Sequence, residues 1–140
     1  MTTIRRRPRP TDLVRSLDWD EPIFVSGDVS LRAVASTLDR CHVGAVVVAR
    51  RGGDAGIVSE RDIVAAIAAG AALDRLSAGE ATRDLISADP GDRIIDVAQR
   101  LIDEGVRHVA LVDRDEVVGV LSIRDLFGVL VDELRDDPAM

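Results

Sequence analysis

Ser59 and Asp62, in Gly56-Ile57-Val58-Ser59-Glu60-Arg61-Asp62, set a hydroxyl and a carboxylate three positions apart where an apolar run turns into helical spacing. Two chemistries are open to such a pair. A serine at a helix start accepts from the first free amides while an acid three residues on reaches back, which makes a capping box. The same carboxylate can instead accept from two vicinal hydroxyls of a ligand, and the free N–H groups and positive dipole end of the helix suit an anion. Gly119-Val120-Leu121-Ser122-Ile123-Arg124-Asp125 repeats the pair 63 positions later.

The duplication extends past the motif. Residues 22–70 laid without a gap over 85–133 share eleven identities, among them Ile23/Ile86, Val34/Val97, Leu38/Leu101 and Val46/Val109. Self-similarity at a fixed offset marks a structural unit used twice. In each copy an apolar helix face recurs at i, i+3, i+4 and i+7: Leu31, Val34, Ala35, Leu38 and then Ile94, Val97, Ala98, Leu101. Short buried strands follow over 43–49 and 109–112, then polar turns at 51–54 and 113–116, then second strands that end at the serines. A second helix leaves each motif, and short apolar pieces at 22–25 and 85–88 precede each first helix. The unit is β-α-β-β-α, and one copy alone exposes too much apolar face to stand by itself.

The expected organisation is a disordered basic tail over 1–10, repeats over 11–70 and 85–134, a connection over 71–84, and a C-terminal tail over 135–140. Arg5, Arg6, Arg7 and Arg9 lie among Pro8 and Pro10, which forbid a regular helix. With 18 Lys+Arg against 25 Asp+Glu the net charge is −7, which offers nucleic acid no basic field, and 2% aromatic residues leave few stacking platforms. A hydrophobic fraction of 46% is enough for a core. A single cysteine, Cys41, excludes a disulfide framework and fits a reducing, cytoplasmic setting; it reads as a buried thiol rather than as a partner for His42. No membrane span, no metal-ligand spacing and no nucleophile with a base and an orienter is present, so the chain does not read as an enzyme.

The order of elements and the doubled Gly-h-h-Ser-x-x-Asp (h apolar) resemble a pair of CBS domains, the Bateman module, across about residues 11–134. The resemblance implies an α/β fold in which two tandem β-α-β-β-α repeats pack about a pseudo-two-fold axis. It also implies a regulatory role in which a cleft between the repeats takes an adenosine-containing nucleotide: AMP or ATP foremost, otherwise ADP, NAD or S-adenosylmethionine. No cofactor is obligatory. Asp62 and Asp125 would accept the ribose hydroxyls, Ser59 and Ser122 would meet phosphate at the helix starts, and Ile23 and Ile86 would line the base pocket. A homodimer through the amphipathic helices is implied, with Ile63, Ile67, Leu126, Leu130 and Leu134 as its apolar surface, together with a downstream protein partner. The alternative is a ligand-free dimerisation module.

The copies differ in charge. Arg107-His108 stand where the first copy has Gly44-Ala45: Arg107 offers a bidentate phosphate donor and His108 a pH-sensitive one, or both are surface and strand-entrance residues. Glu60 stands opposite Ile123, and either repels a phosphate or faces solvent. Arg61 and Arg124 either reach phosphate or make surface pairs. The second copy is expected to be the better site for a charged ligand.

Overall fold

Apolar periodicity places the elements, and the computed structural model describes residues 7–136. Residues 22–85 form one compact unit. Its elements are β1 (Phe24–Ser26), α1 (Leu31–Cys41), β2 (Ala45–Ala49), β3 (Ala55–Ser59), α2 (Glu60–Ala68), α3 (Ala78–Ala81) and β4 (Arg83–Asp84). The other unit joins 86–136 to the N-terminal residues up to Glu21. It contains β5 (Ser87–Ala88), α4 (Ile94–Glu104), β6 (His108–Asp113), β7 (Glu116–Ser122) and α5 (Ile123–Arg135). The β-α-β-β-α order expected of each copy is present in both.

In the first unit the sheet runs β1-β2-β3-β4, with β1 parallel to β2 across the α1 crossover and the other neighbours antiparallel. In the second unit it runs β5-β6-β7, again parallel then antiparallel. The registers correspond: Ala45 pairs with Ser59 as His108 pairs with Ser122. The apolar stripes explain the packing. Leu31, Val34 and Leu38 of α1 are buried with Val46, Val48 and Val58, and Ile94, Val97, Ala98 and Leu101 of α4 with Val109, Leu111 and Leu121.

Local chemistry sets the ends. Ser30 Oγ accepts from the Ala33 N–H at 3.1 Å to open α1. His42 closes α1 in the left-handed region at φ 54°, where α4 ends on Gly105 at φ 66°. Arg114 and Asp115, both at positive φ between paired Asp113 and Glu116, make the two-residue turn whose twist suits a hairpin.

The packing bears on three expectations. First, residues 11–21 pack in the second unit: Val14 is fully buried in its core, and the amides of Val14 and Ile94 donate to the carbonyls of Asp92 and Asp12. Residues 78–84, within the expected connection over 71–84, pack in the first unit, with Ala78 buried and β4 on its sheet edge. The two segments do equivalent work, since Asp20 bridges to Val120 in β7 as Arg83 pairs with Ile57 in β3. Second, residues 7–10 of the supposed disordered tail are engaged: Arg7 pairs with Asp136 at 2.7 Å, and the Pro10 carbonyl accepts from Ile95. Residues 1–6, with Arg5 and Arg6, and residues 137–140 of the C-terminal tail lie outside the described residues. Third, Cys41, the last residue of α1, is exposed rather than buried.

Candidate functional site

The doubled motif closes each sheet and opens each final helix. In the second unit β7 ends at Ser122 and α5 begins at Ile123. The Ser122 N–H and hydroxyl both donate to Asp125 Oδ2, at 3.0 and 3.1 Å, and the Asp125 N–H donates to Ser122 Oγ at 3.3 Å. The Ile123 N–H donates to the Arg107 carbonyl at 2.7 Å, which ties the entrance of β6 to the helix start. Arg107, His108, Ser122, Arg124 and Asp125 are thereby brought together. Ile86 lies on the neighbouring strand path, its carbonyl accepting from Ala110, and its side chain is half-buried against the second unit's core.

In the first unit the same architecture gathers Ser59, Arg61 and Asp62 with Gly44 and Ala45. The Ser59 N–H and hydroxyl donate to Asp62 Oδ2 at 2.8 and 3.0 Å, and the Glu60 N–H donates to the Gly44 carbonyl. Ile23 is half-buried against that unit's core, its carbonyl bonded by Val47. The capping reading therefore holds at both motifs.

The two carboxylates then diverge. Asp62 is 7% exposed at its side chain, and its Oδ1 meets Arg83 Nε at 2.7 Å. Asp125 is exposed and, among the described residues, has no ion-pair partner. Arg61, Arg107 and Arg124 are exposed without ion pairs among the described residues. Their guanidinium groups keep their donors available to an anion. His108 is half-buried beside Ser122. Glu60 is exposed.

Arg83 was not legible as a site residue. It reaches Asp62 because β4 adds to the edge of β3, where Asp84 is held in turn by Arg50 Nη1 at 2.9 Å. That bond, ahead of a second one to Asp54, raises the Arg50 pKa above its ordinary value and keeps it charged. The signal lay in the offset: position 20, 63 before Arg83, is an aspartate.

The motif glycines also have a structural reason. A Cβ on Gly119 would enter the indole of Trp19, and one on Gly56 would strike Thr82 Oγ1 and come 2.7 Å from the Arg83 carbonyl. Each glycine admits the segment that crosses over its strand. Two expected interface residues fall elsewhere: Ile63 and Leu126 are in the cores, while the exposed apolar residues are Val64 and Ile67 on α2 and Phe127, Val131 and Leu134 on α5. Ile67 and Leu134 are exposed as expected, Leu130 is half-buried against the second unit's core, and Ile63 and Leu126 face the sheet. Among the described residues no group of three metal-ligating side chains is assembled, and no helix is long and apolar enough to cross a membrane.

Comparison with known proteins gives the family context. The model of the CBS domain matches residues 14–69 and 78–132. Protein MJ1225 of Methanocaldococcus jannaschii is 32% identical over 79 residues, covering 53% of this chain and 26% of that protein. The CBS domain-containing protein YhcV of Bacillus subtilis is 26% identical over 103 residues, covering 73% of this chain and 74% of the relative. The chain thus spans about a quarter of the first relative and most of the second. Among solved structures, the CBS domain protein PAE2072 from Pyrobaculum aerophilum complexed with AMP superposes with a TM-score of 0.77 at 30% identity, over 89% of this chain and 99% of that one.

Proposed function

The chain belongs to the CBS domain family, and from that premise we propose that it is a non-catalytic regulatory module that binds an adenosine-containing nucleotide, AMP or ATP foremost, through its Ser-x-x-Asp motifs. The observation that carries this reading is Asp125: an exposed carboxylate oriented by Ser122 at the N-terminus of α5, with Arg107 and Arg124 exposed and, among the described residues, without ion-pair partners. A carboxylate accepts from vicinal hydroxyls, and a helix start flanked by guanidinium groups suits phosphate. The AMP-bound relative supports the ligand class. Asp62 and Asp125 would contact ribose, Ser59, Ser122, Arg61, Arg124, Arg107 and His108 the phosphate side, and Ile23 and Ile86 the base.

A ligand regulates only to the extent that it binds two states of the protein unequally. With neither a nucleophile-base pair nor a metal cluster at the motif, the output is conformational and reaches an unidentified protein partner in the cytoplasm. The second reading, a ligand-free dimerisation module, is favoured by the exposed apolar residues of α2 and α5. Both readings place a second copy of the chain on those helices.

Thermal unfolding with AMP, ADP, ATP, NAD and S-adenosylmethionine, on the native chain and on the Asp62→Ala, Asp125→Ala double variant, separates the two. A ligand at 100 times its Kd adds about 2.7 kcal/mol of stability. A shift in the native chain that disappears in the variant supports nucleotide binding at the motifs. A dimer that no nucleotide stabilises leaves the dimerisation module standing.

A further inference from the structure

The two motif carboxylates differ in how much of their accepting capacity the chain itself consumes. A carboxylate offers about four lone-pair positions. At Asp125 the Ser122 N–H and hydroxyl use two, both on Oδ2. At Asp62 the Ser59 N–H and hydroxyl use two on Oδ2, and the other oxygen, Oδ1, is ion-paired to Arg83 Nε at 2.7 Å. A vicinal diol needs two acceptor positions. Among the described residues Asp125 Oδ1 has no partner, whereas Asp62 Oδ1 is held by a cation.

We infer that Arg83 is an internal competitor for the ligand at Asp62: it closes the first unit's motif, leaving the motif at Asp125 as the nucleotide-binding one. This rests on the proposal that the motif aspartates receive ribose. The competitor is held in place by backbone, since Arg83 pairs with Ile57 and Asp84 is anchored by Arg50. Its side chain is 57% exposed, so it can leave, whereas Asp62, at 7%, cannot follow it. A ligand at Asp62 must first break that pair. A second feature acts in the same direction: Glu60 is the first residue of α2, where the second unit has Ile123, so the first helix start carries an additional negative charge that disfavours phosphate. The register equivalent of Arg83 is Asp20, which cannot make such a bond to Asp125.

The device is transferable, and that gives the test. Titration calorimetry with AMP and with ATP on the full chain should give one equivalent bound per chain. Arg83→Gln, which keeps a neutral donor and the fold, should reveal a second equivalent or strengthen a weak one by roughly fivefold, the scale of one partly exposed ion pair. Asp20→Arg, at an exposed position that bonds through its backbone, should weaken the first equivalent by a similar factor. Two equal equivalents in the native chain, or an Arg83→Gln variant still limited to one, would overturn the competitor while leaving nucleotide binding intact. Binding of neither nucleotide to any of the three proteins would overturn the nucleotide reading itself, and the competitor with it. The ion pair is checked without ligand by a double-variant cycle of Arg83→Gln with Asp62→Asn in urea: additive losses mean that no pair forms, and the inference fails on that ground alone.

Discussion

Alanine at Asp62 and at Asp125 should separate the structural from the ligand use of one motif, with opposite rank orders. Asp125 is exposed and caps α5 through Ser122; losing such a cap costs about 1 kcal/mol. Asp62 makes the corresponding cap on α2 and also holds Arg83 at 2.7 Å. That ion pair, with its guanidinium half-exposed, contributes about 1 kcal/mol. Asp62→Ala should therefore cost about 2 kcal/mol and Asp125→Ala about 1 kcal/mol. At an m-value of about 2 kcal/mol/M the difference moves the urea midpoint by about 0.5 M. Circular dichroism follows both units, and Trp19, the single tryptophan, follows the second. Nucleotide affinity should fall the other way, more for Asp125→Ala, because its second oxygen is uncommitted. If Asp125→Ala costs as much stability as Asp62→Ala, the ion pair contributes nothing. If the two lose nucleotide equally, the asymmetry between the motifs is refuted.

Three further outcomes follow from the packing. Gly119→Ala forces the Trp19 indole aside; a cost of about 1–3 kcal/mol, with a changed tryptophan emission, is expected. His42→Gly removes a Cβ from a left-handed helix end where the second unit already has Gly105; it should stabilise by about 0.5–1 kcal/mol in thermal unfolding. Val14→Ala, at a fully buried position, should cost about 2 kcal/mol and lower hydrogen-exchange protection in β6 and β7 rather than in β2 and β3, since Val14 packs in the second unit's core. Protection lost first in β2 and β3 would show that the N-terminal segment belongs to the first repeat after all.

Much of the architecture was legible because it depends on spacing along the chain. The 63-residue offset gave the duplicated unit, the stripes at Leu31/Val34/Leu38 and Ile94/Val97/Leu101 gave the buried helix faces, and Ser59/Asp62 with Ser122/Asp125 gave the helix caps. The caps and the stripes join residues three to seven positions apart, where backbone geometry alone sets who shares a face. The exposed apolar surface on α2 and α5 was legible only in part: Ile67 and Leu134 are exposed as read, whereas adjacent apolar pairs at 63/64 and 126/127 admit two phases and only the sheet beneath chooses, burying Ile63 and Leu126.

Long-range register is a tertiary property, and it decided the rest. Nothing local to Thr82-Arg83-Asp84 says that it will add to the edge of β3, nor that Trp19-Asp20 will lie over β7 a hundred residues away. Those two placements determine why the motif begins with glycine, which carboxylate is occupied and which is open. The sequence by itself determined two copies of one motif, each capping its helix. Their difference in charge was also legible, at Arg107-His108 and Glu60; the occupation of one carboxylate was not, because edge-strand pairing set an arginine beside Asp62 and an aspartate at the matching position of the other sheet, and hydrogen bonds between strands join residues by register and not by distance along the chain.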